Sequence, residues 1–171
     1  SDEGDLAIRA ERMEARQLLA DVARRRSVHA ASVRRAIDIA APGALALVGD
    51  RRRLEQALGN LVDNALRHGG GTVRMDARAE NGVVVLKVSD DGVGFPPGFV
   101  LHAFERFSRA DAARSGGGAG LGLAITAAIA RAHGGTAHAA NSSGGGADVW
   151  LALPNGLNAG DAPLAGSGDV G

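Results

Sequence analysis

The sequence predicts an α/β fold of the α+β two-layer kind, with a long loop among its elements. Three observations carry that expectation. Helical and strand periodicities follow one another along the chain in a mixed order. Two pairs of short strands are joined by turn residues, as hairpins are. The chain of 171 residues, 45% hydrophobic, is near the size of one ordinary domain and sufficient to close a single core.

Taken in order, Asp5 to Arg25 sets Leu6, Met13, Leu18, Leu19 and Val22 at mixed helical spacings among arginines and glutamates, an amphipathic helix in one or two pieces. The stretch "ASVRRAIDIAAP", stopping at Pro42, and the apolar run "ALALVGD" read as strands. Asp50 is placed to cap a helix from Arg51 to Arg67, where Leu54, Ala57, Leu58, Leu61, Val62 and Ala65 share a face. That helix runs into "HGGG", whose glycines suit a left-handed C-cap. Thr72 to Ala79 and Val83 to Ser89 form a hairpin through "ENG". Asp91 to Gly120 lacks any periodic pattern and reads as a functional loop or lid. Leu121 to His133 returns to helix, Thr136 to Asn141 and Ala147 to Leu153 make a second hairpin, and Asn155 to Gly171 reads as a disordered tail.

Charge and composition exclude several classes. Nineteen basic and nineteen acidic residues cancel, so nothing global draws the chain to nucleic acid or to an anionic membrane. Cysteine is absent, which removes disulfides and thiolate metal sites and fits a reducing compartment. No apolar run approaches the roughly 20 residues of a membrane helix. The glycine-rich "SGGGAGLGLAI", Ser115 to Ile125, precedes a helix start, where free amides and the helix dipole favour an anion. It is not a Walker loop, because the only lysine is Lys87; nor is it the dinucleotide fingerprint, because Leu121 and Leu123 stand where a third glycine is needed.

Four other stretches give that loop company: "LEQALGNLVDNALRHGG" with Asn60 and Asn64 one turn apart on the same face, "VSDDGVGF", "FERF", and the closing "AHGGTAHAANSSGGGADVWLALP". In this order and spacing, from about Leu18 to Pro154, the chain resembles the ATP-binding catalytic domain of sensor histidine kinases, within the superfamily that also holds gyrase-type and mismatch-repair ATPases. The resemblance implies a mixed sheet of about five strands covered on one face by three helices, which the order of helices and strands permits. It divides the chain into 1–14, a remnant of a dimerisation and phosphoacceptor hairpin or a linker, then 15–154, the catalytic domain with its ATP lid, and 155–171, a tail.

The resemblance also assigns roles. Asn64 matches the Mg²⁺ ligand, a neutral carbonyl suited to a hard cation that keeps most of its waters. Asn60 stands where hydrolytic relatives carry a water-activating glutamate, so ATP would turn over slowly and be held for another nucleophile. Arg67 and His68 would meet phosphate oxygens and the nucleotide; His68 could equally complement the helix C-terminus. Asp90 matches the acceptor of the adenine amino group, with Gly92 and Gly94 letting the chain pass beneath the base and Asp91 facing outward. Phe104 and Phe107 resemble anchoring aromatics of the lid, and Arg106 and Arg109 are candidates to reach the terminal phosphate. Gly116, Gly118, Gly120 and Gly122 would offer backbone amides to the phosphates, while Leu121 and Leu123 dock the new helix. The family often has Thr or Ser where this chain has Ala147, which removes one polar contact to adenine.

None of His29, His68, His102, His133 or His138 lies in the family's phosphoacceptor pattern. The resemblance therefore implies a domain that binds Mg-ATP and donates the γ-phosphate to a histidine on a separate dimerisation domain, of the same or a partner kinase, and indirectly serves a response regulator. It implies a cytoplasmic, monomeric domain without nucleic-acid or membrane contact of its own, from a parent that could be a membrane-bound sensor. The alternatives from other classes are a protein serine kinase of the anti-sigma-factor type and a degenerate, non-catalytic ATP-binding module.

Overall fold

The computed structural model describes residues 6–105 and 118–156, with no account of the side chains of 118–121. Its elements are β1 (Glu11–Glu14), α1 (Ala15–Arg25), α2 (Ser27–Ser32), β2 (Ile37–Ala40), β3 (Ala46–Gly49), α3 (Arg51–His68), β4 (Val73–Glu80), β5 (Val83–Ser89), a 3-10 turn (Val100–His102), α4 (Gly118–Ala132), β6 (Thr136–Asn141) and β7 (Ala147–Pro154). Five strands make one mixed sheet in the order β2-β4-β5-β7-β6, parallel only between β2 and β4. The strands β1 and β3 form a separate antiparallel pair.

Alternation along each strand sorts the sheet into two faces. Val73, Met75 and Ala77 of β4 pair with or flank Val84, Leu86 and Val88 of β5, which in turn face Leu153, Leu151 and Val149 of β7. These form the core with Leu18 and Leu19 of α1, Leu54, Leu58 and Leu61 of α3, and Leu123 and Ile129 of α4. Helix α1 lies on β2 and β4, α3 on β4 and β5, and α4 on β6 and β7, which gives the expected three helices on one face. The opposite face carries Lys87 across from Trp150, whose ring stacks on His138 at 5.2 Å.

Several local expectations are corrected. The helix expected from Asp5 begins only at Ala15, because Glu11 to Glu14 pair instead with Ala46 to Gly49. Pairing and the burial of Met13 outweigh the helix propensity of glutamate, arginine and methionine. The stretch read as one strand from Ala31 to Pro42 starts as the end of α2 and becomes strand only at Ile37. Helix α4 starts at Gly118, three residues earlier than expected. Asn155, assigned to the tail, accepts from the Val48 amide at 3.0 Å, so β3 lies between β1 and the chain leaving β7; residues 157–171 lie outside the described residues. The "ENG" turn forms as expected, with Asn81 and Gly82 both at positive φ, 50° and 83°.

Candidate functional site

The site lies where the C-terminal half of α3 meets the end of β5. Asp50 caps that helix at its far end, its Oδ1 accepting the Arg53 amide at 3.1 Å and its Oδ2 the Arg9 amide at 2.9 Å. Burial alone would raise the carboxyl pKa, but the two backbone donors outweigh it and hold Asp50 below the usual carboxylate range. Eighteen residues long, α3 then carries its apolar stripe into the core and leaves Asn60, Asn64 and His68 along the edge facing α4 and the β5 turn.

Asp90 is the anchor of the floor. It is buried, 4% exposed, and its Oδ1 accepts the Gly92 amide at 2.7 Å and the Gly70 amide at 3.4 Å. Its own amide donates to the Ala147 carbonyl at 3.0 Å. Gly69 allows this packing: a Cβ there would stand 2.4 Å from the Asp90 carboxyl carbon. Asp91 faces outward as expected and is bound by both Nη atoms of Arg74, at 3.1 and 3.0 Å. That pairing lowers the Asp91 carboxyl pKa.

Around this floor, Asn64, His68, Val93, Gly94, Phe95, Pro96 and Phe99 line a cleft of about 180 Å³. A smaller recess beneath it is lined by Asn64, His68, Gly69, Asp90, Gly94, Phe95 and Ala147. Of the expected residues, Asn64, His68, Asp90 and Gly94 are thus brought together, and Gly92 supports Asp90 from behind. Arg67 is exposed on the last turn of α3. Asn60 sits one turn earlier and donates from Nδ2 to the Gly122 carbonyl at 3.4 Å, joining α3 to α4. Thr126 Oγ1 donates to the same Gly122 carbonyl at 3.0 Å. Leu123 is buried and packs α4 on the core, the place that the resemblance implies for it. Gly118, Gly120 and Leu121 belong to the first turn of α4. Arg106, Phe107, Arg109 and Gly116 lie outside the described residues.

Five contributing residues were not anticipated, in three groups. Phe95 and Phe99 stack with centroids 5.3 Å apart and wall the cleft. Asn141, at the end of β6, accepts the Phe95 amide on Oδ1 at 2.7 Å and donates from Nδ2 to the Phe95 carbonyl at 3.3 Å, fixing the loop after Asp90. Gly69 and Gly70 pack on Asp90 and Gly92, although the pattern read them as mere helix punctuation. The left-handed C-cap expected there is also corrected. Gly69 is extended at φ −92°, ψ −163°, and the left-handed glycine is Gly71 at φ 66°. Phe104 is partly buried and packs against the core.

Chemically, the cleft offers one buried carboxylate acceptor, a neutral amide oxygen on a helix, an imidazole, aromatic walls and backbone that no side chain obstructs. Among the described residues no group of three His, Asp or Glu is arranged to hold a metal. A cation here would therefore take most of its ligands from a bound molecule and water. Among the described residues no helix is long and apolar enough to cross a membrane.

Comparison with known proteins adds three findings. Residues 49–157 match the profile described as histidine kinase-, DNA gyrase B-, and HSP90-like ATPase. A "Sensor histidine kinase component HK1" from Mycobacterium tuberculosis is 47% identical over 105 residues, 61% of this chain and 62% of that protein. The "Signal transduction histidine-protein kinase AfsQ2" of Streptomyces coelicolor is 43% identical over 106 residues, 61% of this chain and 20% of that one. The matched segment thus spans less than two thirds of either relative. Among solved structures, full-length ShkA in complex with AMPPNP superposes with a TM-score of 0.77 at 30% identity, covering 92% of this chain and 33% of that one. The nucleotide-free catalytic domain of the histidine kinase ThkA superposes at 0.75 and 21% identity, covering 86% and 97%. The latter shares the fold, a mixed sheet with its helices.

Proposed function

Because the chain belongs to the histidine kinase-, DNA gyrase B-, and HSP90-like ATPase family, we propose that it binds Mg-ATP and passes the γ-phosphoryl group to a histidine on a separate dimerisation domain. The observation that carries this reading is the convergence of Asn64, His68 and Gly94 on one cleft, with Asp90 in the adjoining recess that the same three residues line. Asp90 supplies the acceptor for the adenine amino group, and Gly92 and Gly94 keep side chains from beneath the base. Phe95 and Phe99 offer the apolar wall. Ala147 lines the recess beside Asp90 without offering a hydroxyl.

Asn64 fits Mg²⁺ by its chemistry and its place in the cleft: one neutral oxygen, with the phosphates and water supplying the rest. The cation, when bound, neutralises charge on the phosphates. Arg67 and His68 stand at the same helix end to meet phosphate oxygens, with Arg106 and Arg109 assigned to the terminal phosphate. The first turn of α4, Gly118 to Gly122, offers the amides. The bond from the γ-phosphorus to its bridging oxygen breaks as one forms to an imidazole nitrogen of the acceptor, and ADP leaves. Asn60, in place of a carboxylate base, leaves water unactivated, so the phosphoryl group is kept for that acceptor. The domain's work is positioning.

The names of the two curated relatives support a place in sensor histidine kinases, with a response regulator as the indirect beneficiary. Because Glu11 to Glu14 pair with β3 and Leu6 and Met13 pack on the core, we read residues 6–14 as the edge of the catalytic domain, continuous with 15–154, and not as a helical-hairpin remnant. A cytoplasmic location follows from the same reading, since that is where ATP is available. The test mixes the protein with a phosphoacceptor hairpin and labelled ATP and looks for acid-labile phosphohistidine; its absence, while ATP binds in calorimetry, overturns the transfer. Asn64→Asp and Asp90→Asn are expected to leave the fold intact and to weaken ATP binding about tenfold or more. Unchanged affinity in both removes the assigned site.

A further inference from the structure

Helix α2 ends in a tight reversal. The Arg34 amide donates to the Ala31 carbonyl at 3.0 Å and the Arg35 amide to the Ala30 carbonyl at 2.9 Å, the pair of bonds that closes a helix when the residue past its end is left-handed. Arg34 takes that conformation, at φ 58°, although a side chain is disfavoured there. The reversal turns Arg35 toward the C-terminus of α3. There its Nη2 donates to the Ala65 carbonyl at 3.2 Å, its Nη1 to those of Leu66 and Gly69 at 3.4 Å each, and its Nε to that of Gly71. One guanidinium thus binds the helix end and the loop beyond it.

The Leu66 carbonyl is among those a helix leaves without internal partners, the Ala65 carbonyl also accepts the Gly69 amide at 2.9 Å, and a cation complements the negative end of the dipole. The position matters because of what the same turn carries. Asn64 and His68 project from it into the cleft. The loop Gly69 to Gly71 lies against Asp90 and Asp91, with the Gly70 amide on Asp90 Oδ1 at 3.4 Å and the Asp91 amide on the Gly70 carbonyl at 2.7 Å.

We propose that Arg35 is a positioning residue for the nucleotide: by tying the last turn of α3 to the Gly69–Gly71 loop, it sets the Asp90 carboxylate at its working distance from Asn64 and His68. The inference rests on the nucleotide-binding reading above. A planar fork of five N–H donors can span several carbonyls at once, whereas a lysine ammonium gathers its donors at one point.

The experiment compares Arg35→Ala, Arg35→Lys and Asp50→Ala, the last removing the cap at the opposite end of the same helix. Calorimetry with adenosine, ADP and Mg-ATP is run well below each variant's unfolding temperature, beside amide exchange of Gly70 and Gly92. Arg35→Ala is expected to weaken all three ligands by a common factor of about ten, because the loop it holds contacts Asp90. Exchange at Gly70 and Gly92 should quicken, and lysine should restore only part of the loss. Asp50→Ala should lower the unfolding temperature while leaving affinity and exchange at those amides unchanged. Wild-type affinity in Arg35→Ala, loss confined to the triphosphate, or an equal loss in Asp50→Ala overturns the proposal. If the wild-type protein binds none of the ligands, the nucleotide reading fails by itself, and the exchange rates alone decide whether Arg35 holds the loop.

Discussion

Gly92 is required by distance rather than by backbone angle. A Cβ at that position would stand 2.5 Å from the Gly70 nitrogen and 2.7 Å from the Gly69 carbonyl carbon, both backbone atoms that cannot rotate away. Gly92→Ala is therefore expected to cost about 1–3 kcal/mol in denaturant unfolding and to reduce nucleotide binding with it, since Asp90 must shift. Arg34 is the opposite case, a side chain where glycine would be easier. Arg34→Gly should raise stability by about 0.5–1 kcal/mol, read from the urea midpoint. At this scale the sequence was legible where residues act near their neighbours in the chain: Asp90-x-Gly-x-Gly announces a carboxylate on a tight turn. Gly69 and Asn141 were not legible, because their reasons lie 21 and 46 residues away, at Asp90 and Phe95.

Among the elements, α3 shows both how a pattern is read and where reading stops. Its apolar stripe and its Asp50 cap are evident from spacing alone, as are both hairpins. The short α2 is not, since one buried residue, Ala30, makes no periodic signal. The pairing of β1 is equally hidden, since Glu11 to Glu14 gain their partners only when residues 46–49 arrive. Asp50→Ala is expected to cost about 1 kcal/mol. The cap also sets a pH dependence. Because the folded-state pKa of Asp50 lies below its unfolded value, its contribution is complete above the ordinary carboxylate range and is lost as pH falls through the folded value. Unfolding temperatures measured from about pH 5 down to about pH 2 should therefore fall more steeply for the wild type than for Asp50→Asn, whose amide does not titrate.

For the whole molecule, ligand and fold share one equilibrium. Mg-ATP at about 100 times its dissociation constant should add about 2.7 kcal/mol and raise the unfolding temperature by roughly 5–10 °C for a chain of this size. No rise at saturating nucleotide would contradict the site. The same integration governs how a pull would travel. Residues reaching the domain at Leu6 run antiparallel to β3, and β3 passes straight into α3 through Gly49 and Asp50. A tug on that incoming chain, resisted at α3, loads both strands from the same end, so their bonds open one after another instead of sharing the load. The Arg9 amide on the Asp50 carboxylate would part first, then the bonds between Glu11 and Gly49. Tension would thus be felt earliest at the cap of the helix that carries Asn60 and Asn64, and at a low, graded threshold.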